Sequence, residues 1–260
     1  MRQGDFVQRW RARVPRYRPA GETLRPREYG VVELPGDAEA KAFVLAHHYS
    51  ATYPAARFRF GLVRDEALVG VAVFSHPCND AVLTSVFEGP ALESVELGRF
   101  VLLDDVPGNG ETWFLGRCFE VLRRRQLRGV LAFSDPQPRH DLEGRVVMPG
   151  HLGVIYQAHN GRYLGRGTAR RLHLLPNGAV FSARAASKVR RLDTGWQYAV
   201  QQLVDAGIPP PADTSDMPGW LAGALVRLRP LKHPGNHRYA WPLHRCVCLP
   251  DSLPYPKRGF

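Results

Sequence analysis

Residues 96–125 read ELGRFVLLDDVPGNGETWFLGRCFEVLRRR, a pattern that predicts a strand, a loop rich in glycine, and a helix. A helix that begins after Gly108, Asn109 and Gly110 presents free backbone N–H groups and the positive end of its dipole, and both attract anions. Thr112 adds a hydroxyl donor. No lysine follows the glycines, so the segment is not the phosphate loop of the nucleotide triphosphatases. The pattern predicts an anion site, with an ordinary turn as the alternative.

Two charged side chains occupy predicted strands or their ends. Arg99 lies inside the apolar strand VELGRFVLL, where an unpaired charge is costly, so we expect it to meet an anion. Glu96, Asp135 or a bound ligand could supply that anion. Asp135 follows the predicted strand 130–133, and strand ends of open sheets face binding crevices. The alternative for Asp135 is a turn with Pro136.

The charge of the chain indicates a polyanionic partner. The net charge is +11 and the sequence pI is about 10.0, which favours nucleic acid. Arginines are concentrated in the first 28 residues, where prolines prevent one long helix. This stretch is predicted to be a basic arm that binds DNA, with a solvated tail as the alternative. Its predicted DNA contacts are Arg11, Arg13, Arg16 and Arg18.

A second basic segment near the C-terminus contains aromatic residues. Cations next to aromatic faces suit a DNA strand or a displaced base. We therefore expect a DNA-binding loop here, with a packed terminal segment as the alternative. Nearby histidines and cysteines match no common zinc spacing. The predicted DNA contacts of this segment are Lys232, His237, Arg238, Tyr239 and Trp241.

Composition places the chain among soluble globular proteins. No apolar run approaches the length of a membrane span, and no N-terminal signal segment is evident. The four cysteines form no C-x-x-C pair and fit a reduced compartment, so we expect a cytoplasmic protein. The expected domains are a basic arm (1–28), a catalytic domain (29–181) and a helical C-terminal extension (182–260).

The predicted elements of the catalytic domain form a meander followed by a strand, a helix and a strand. Strands are expected at 29–34, 58–63, 68–75, 81–86, 96–103 and 130–133, with helices from Asp37 to about His48 and after the glycine loop. A short helix is expected within 150–167, and a hairpin around Pro-Asn-Gly at 176–178. Further helices are predicted at 195–206 and 220–228.

Three stretches resemble the Mom family of phage DNA-modification proteins, which is similar to the GNAT acyltransferases. They are HHYSATYPAAR (47–57), ELGRFVLLDDVPGNGETWFL (96–115), and FSDP (133–136) with GHLGVIYQAHNGRYLG (150–165). HPGNHRYAW (233–241) is a weaker match. The chain departs from the family in the opening of the phosphate motif, in an insertion before Gly150 and in its arginine-rich start.

The resemblance implies an α+β, GNAT-like fold with a mixed, mostly antiparallel sheet flanked by helices. It implies an enzyme that places a carbamoylmethyl group on N6 of adenine in phage DNA and so protects that DNA from restriction. Acetyl-coenzyme A is the implied donor, bound by Arg99, Thr112 and the glycine loop. The family's active and iron-linked positions correspond to His48, Tyr49, Asp135 and Tyr156. A phage or prophage gene expressed in a bacterial host is implied.

Two other functions stay open at this stage. The chain could be an ordinary acetyltransferase that acts on a small amine, a protein or another hypermodified base. It could also be a noncatalytic DNA-binding protein that retains a GNAT-like core. The oligomeric state is undetermined, and a dimer is compatible with the sequence.

Overall fold

The computed structural model describes residues 6–257, so the first five residues of the predicted arm and the last three residues lie outside it. The strands are β1 (Phe6–Arg11), β2 (Val14–Pro19), β3 (Gly30–Glu33), β4 (Ala56–Arg64), β5 (Ala67–Ser75), β6 (Ser94–Leu102), β7 (Gly129–Ser134), β8 (Arg139–His140), β9 (Val146–Met148), β10 (Arg162–Arg166), β11 (Arg170–Leu174), β12 (Val180–Phe181), β13 (Arg229–His233) and β14 (His237–Pro242).

The α-helices are α1 (Asp37–His47), α2 (Ala81–Thr84), α3 (Gly110–Arg124), α4 (Val154–Ala158), α5 (Ala183–Arg191), α6 (Trp196–Asp205) and α7 (Met217–Arg227). Single 3₁₀ turns occur at Pro26–Glu28 and Ala91–Glu93. No helix in this part of the chain is long and apolar enough to cross a membrane.

A seven-stranded sheet in the order β10-β14-β7-β6-β5-β4-β3 forms the main framework. Its neighbours are antiparallel except β6 and β7, which are parallel. The apolar stripe of α3 packs with buried side chains of the sheet around Phe74, Phe114 and Leu122. The predicted α+β class with a mostly antiparallel central sheet is therefore confirmed.

The chain packs into two compact units. Unit 1 contains the described residues up to Asp135, together with His151–Arg166 and the residues from Asn236 onward. Unit 2 contains Pro136–Gly150 and Gly167–Gly235. It consists of the β8–β9 hairpin, the sheet β12-β11-β13 and α5 to α7, with a separate core. The predicted division at residues 28/29 and 181/182 stays a prediction.

The start of the chain is a hairpin, whereas an arm or tail was expected. β1 and β2 pair antiparallel around a turn in which Ala12 and Arg13 have positive φ. Trp10 is buried against α1 and the sheet, in a cluster that includes Val44 and Val71. Burial of this large indole surface holds the hairpin on unit 1.

Candidate active site

A bulge in β6 positions Arg99. The register between β5 and β6 shifts between Val73 and Phe74, so Gly98 is an extra residue on β6. A Cβ atom at Gly98 would collide with Oγ of Ser75, which explains the glycine. Bulges change the direction of the next side chain and are common beside active sites. Arg99 follows this bulge directly.

The sheet opens next to the bulge. β6 and β7 pair only over Ser94–Leu97 and Gly129–Ala132. β6 then continues to Leu102 and β7 to Ser134 without further pairing to each other. Two parallel strands that separate leave a crevice at their carboxyl ends, where ligands of open sheets bind.

Arg99 is fixed to the loop after α1. Its Nε donates to the carbonyl oxygen of Thr52 at 2.8 Å, and its Nη2 donates to the Thr52 hydroxyl. Burial lowers the pKa of Arg99, while Tyr49, Glu96 and Tyr156 act in the opposite direction through their negative charge when ionised. The Arg99 guanidinium therefore interacts electrostatically with Tyr49, Glu96 and Tyr156.

His48 and Tyr49 end α1 and face each other. Their rings stack at 4.2 Å between centroids. Nδ1 of His48 accepts the backbone N–H of Ser50 at 3.1 Å, so the neutral ring carries its proton on Nε2. Burial, then the charges of Arg99 and His151, hold the pKa of His48 well below its usual value. His48 is therefore neutral at physiological pH.

Glu96 and Tyr156 are both protonated more readily than usual. Burial raises the pKa of Glu96, and the nearby Arg99 opposes this shift. Burial, followed by the charges of Tyr49 and Glu96, raises the pKa of Tyr156. Tyr156 is therefore a hydroxyl donor at neutral pH, and Glu96 is a carboxylate with increased basicity. The sequence identified Glu96 only as a partner for Arg99.

Asp135 joins this group through His151. The carbonyl oxygen of Asp135 accepts the backbone N–H of His151 at 2.8 Å. The ring of His151 packs edge-on against Tyr49, with centroids 6.2 Å apart. The structure thus brings the predicted residues His48, Tyr49 and Tyr156 into one neighbourhood with Arg99, and it links the backbone of Asp135 to this neighbourhood through His151. His151 was missed by sequence reasoning, although it lies in the GHLG stretch that carries the resemblance.

These residues do not fit an iron site. Within residues 6–257, no group of three or more His, Cys, Asp or Glu side chains could hold a metal ion. Nδ1 of His48 is already occupied by Ser50, and the Arg99 cation is close enough to lower the pKa of His48. The positive charge of Arg99 would therefore repel a metal cation bound at His48. The predicted iron is therefore not supported.

Glu22 lies near the glycine loop. It accepts two hydrogen bonds from Arg18 at 2.6 Å, which lower the pKa of Glu22 most, and the backbone N–H of Gly108 lowers this pKa least. A Cβ atom at Gly108 would lie 2.5 Å from the carbonyl oxygen of Pro19 and 3.0 Å from that of Ala20. Gly108 is therefore required for close packing of the residues after β2.

The other predicted coenzyme contacts also bond internally. The side chain of Asn109 accepts the backbone N–H of Leu24 at 2.6 Å, and Gly110 donates to Pro107 at 2.9 Å. The Thr112 hydroxyl donates to the carbonyl oxygen of Asn109 at 3.0 Å. The Asn109 and Thr112 side chains therefore bond within the protein, and the contact of this loop with coenzyme A stays a prediction.

Most arginines of the N-terminal hairpin bind acidic groups. Arg9 is buried and pairs with Glu111 in the first turn of α3. Arg11 pairs with Asp104, and Arg18 pairs with Glu22. Of the predicted DNA contacts in this stretch, Arg13 and Arg16 have exposed side chains.

The C-terminal segment that was predicted to be a loop consists of strands, and DNA binding by it stays a prediction. His237, Arg238, Tyr239 and Trp241 belong to β14, between β10 and β7 in the sheet. Tyr239 is fully buried, and the Trp241 indole N–H donates to His159 at 2.8 Å. Rings buried in the core cannot stack on a base. Lys232 is exposed on β13, which belongs to unit 2.

Comparisons with known proteins agree with the resemblance seen in the sequence. No curated protein matches the chain. A solved structure described as "Tandem GNAT protein from the clavulanic acid biosynthesis pathway (without AcCoA)" is similar over 76% of this chain and 67% of its own, with 12% identity and a TM-score of 0.35. The model of the Mom protein family matches residues 30–208, which include every residue of the group around Arg99. The chain belongs to the Mom protein family.

Proposed function

We propose that this chain is an enzyme that modifies DNA at N6 of adenine. The observation that carries the proposal is the group formed by His48, Tyr49, Glu96, Arg99 and Tyr156 beside the opening between β6 and β7. Membership of the Mom family supports a DNA substrate. The product implied by the family is the carbamoylmethyl form, which would protect phage DNA from restriction.

The group can perform the proton chemistry that an amine acceptor requires. The N6 amine of adenine is a weak nucleophile because its lone pair is delocalised into the ring. When a new bond forms to N6, that nitrogen must release a proton. The Glu96 carboxylate, whose pKa is raised, is the proposed acceptor of this proton.

Two neighbours would stabilise negative charge that develops on the transferred group. The Arg99 guanidinium lies next to Glu96, and the protonated Tyr156 hydroxyl can donate a hydrogen bond. His48 is neutral and offers no further charge to this centre. These roles follow from charge and protonation, and they involve no metal.

Acetyl-coenzyme A is the proposed donor on the ground of the resemblance alone. Simple acetyl transfer forms a bond from N6 to the acyl carbon, breaks the thioester C–S bond and releases coenzyme A as the thiol, so it gives an amide at N6. The carbamoylmethyl product has a CH₂ group on N6 and a terminal amide, so its formation from a thioester would need a nitrogen donor and a two-electron oxidant as further reactants. The two products differ in composition by NH, so their masses separate them.

Mass spectrometry of nucleosides from cells that express the chain tests the proposal. We expect modified deoxyadenosine with the parent chain, none with Glu96→Gln, and the parent level with Glu120→Gln, which changes a carboxylate on the surface of α3. DNA binding with unmodified nucleosides would indicate a noncatalytic relic. Turnover of acetyl-coenzyme A without DNA would indicate an ordinary acetyltransferase.

A further inference from the structure

Unit 2 carries an excess of positive charge. Its residues include eleven Arg or Lys against six Asp or Glu. Several of the acids are engaged locally. Asp141 binds Arg145, Asp205 accepts from Gln201, and Asp216 caps α7. These acids therefore do little to neutralise the cations elsewhere on unit 2.

The strands β11 and β13 place like charges opposite each other. In their antiparallel register, Arg171 lies directly across from Lys232. Both side chains are exposed, and neither forms a hydrogen bond or ion pair with any residue between 6 and 257. Like charges in directly opposed positions destabilise a sheet. The pair therefore has an electrostatic cost that an anionic ligand would remove.

The neighbouring cations on the same strands differ from this pair. Arg229 donates to the carbonyl oxygen of His140 and so joins β13 to the β8–β9 hairpin. His233 is buried opposite Arg170 and accepts the backbone N–H of Gly235 at 3.0 Å. Arg229 and His233 therefore have structural bonds, whereas Arg171 and Lys232 face solvent.

We propose that Arg171 and Lys232 form a docking surface for the phosphodiester backbone of DNA. This inference rests on the proposed function, which makes DNA the substrate. Side chains opposite each other on paired strands have Cβ atoms about 4.5–5.5 Å apart, so both cations reach one phosphate. Phosphate contacts give affinity and position the protein without reading sequence. The surface therefore holds DNA of any sequence.

Salt-dependent binding of the full-length chain tests this surface. Fluorescence anisotropy with a labelled duplex of mixed sequence would be measured from about 50 to 300 mM NaCl. The variant Arg171→Gln/Lys232→Gln should lower the slope of log K against log salt by about 1, because one phosphate contact is lost. The matched control is Arg123→Gln/Arg124→Gln, which removes the same charge from the exposed end of α3 and should keep the parent slope.

If Arg171→Gln/Lys232→Gln keeps the parent salt slope, the proposal is overturned, because DNA binding then depends on another surface. If both double variants lose the same amount of slope, the proposal is also overturned, because binding then depends on net charge alone. Thermal melts confirm that both variants are folded. The same preparations are assayed for modified deoxyadenosine. If the parent chain modifies deoxyadenosine but Arg171→Gln/Lys232→Gln keeps the parent slope, only the docking surface is refuted. If this variant lowers the slope but the parent chain modifies no deoxyadenosine, only the catalytic proposal is refuted.

Discussion

Replacement of Arg9 by alanine should strongly destabilise unit 1. The Arg9 side chain is fully buried, donates from Nε to Val106 at 3.2 Å and from Nη2 to Pro107 at 2.6 Å, and pairs with Glu111. Burial lowers the pKa of Arg9 only to about 10, so it stays charged at neutral pH. Without Arg9, the buried Glu111 carboxylate has lost its counter-charge.

The expected loss is about 3–5 kcal/mol, the range for removal of one partner of a buried ion pair. That is a large share of a typical stability of about 5–15 kcal/mol. Urea unfolding should show it as a large fall of the midpoint. Hydrogen exchange should show lost protection in β1, β2 and the residues before α3.

A control and a double variant make this result specific. Arg27→Ala removes an exposed arginine of the same segment and should change stability by less than about 0.5 kcal/mol. Arg9→Met/Glu111→Leu replaces both charges by apolar groups and should recover most of the loss. If Arg9→Ala cost less than about 1 kcal/mol, Glu111 would not be a buried, charged partner, and the hairpin would not depend on this pair.

Two other substitutions test the loop and the active site. Gly108→Ala should destabilise the protein without any ligand by about 1–3 kcal/mol, because the new Cβ meets the Pro19 carbonyl; Gly36→Ala, which meets nothing within 4 Å, should be near neutral in the same thermal melts. Equal melting of both would mean that Gly108 is not needed for packing. Glu96→Gln should be more stable than the parent at about pH 8, and this difference should vanish towards about pH 4. The pKa of Glu96 is raised in the folded state, so its ionisation disfavours the fold as pH rises; a difference that grows towards acid pH would contradict this.

Local patterns in the sequence predicted much of the fold. β4 and β5 lie where alternation and the turn at residues 64–66 placed a hairpin, and α1 begins at Asp37 as expected. The strand predicted at 81–86 was wrong, because residues 81–84 form α2 and the side chain of Asn79 accepts the backbone N–H of Ala81 in a local turn before it. Such local side-chain bonds compete with strand formation and oppose the β propensity of two valines.

Other elements were missed because their character depends on distant residues. α5 has a polar sequence and was not predicted; in the structure the side chain of Ser182 accepts the N–H of Ala185 and caps this helix. The sequence of β14 is basic and aromatic, but in the structure β14 lies between β10 and β7, and Tyr239 is buried. The four predicted active-site positions came from matched motifs in separate segments, and no local pattern could show that Arg99 lies among them.

The electrostatics of the glycine loop explain an apparent conflict in the sequence. Asp104 and Asp105 precede the loop and would repel a phosphate there. In the structure they bind arginines: Arg11 pairs with Asp104, and Arg64 pairs with Asp105 at 2.6 Å. Arg9 of the hairpin pairs with Glu111 in the first turn of α3, so this end of the helix is attached to the chain's own hairpin.

A sequence pattern typical of phosphate binding can therefore occur in a loop whose Asn109 and Thr112 side chains bond within the protein. Family membership and the chemistry of one loop are separate matters, because function depends on the site and not on the fold. Three arginines of the hairpin bind Glu22, Asp104 and Glu111, so acidic partners offset the charge that these arginines contribute. Exposed cations without acidic partners can bind a polyanion without losing such an ion pair, and Arg171 and Lys232 satisfy that condition.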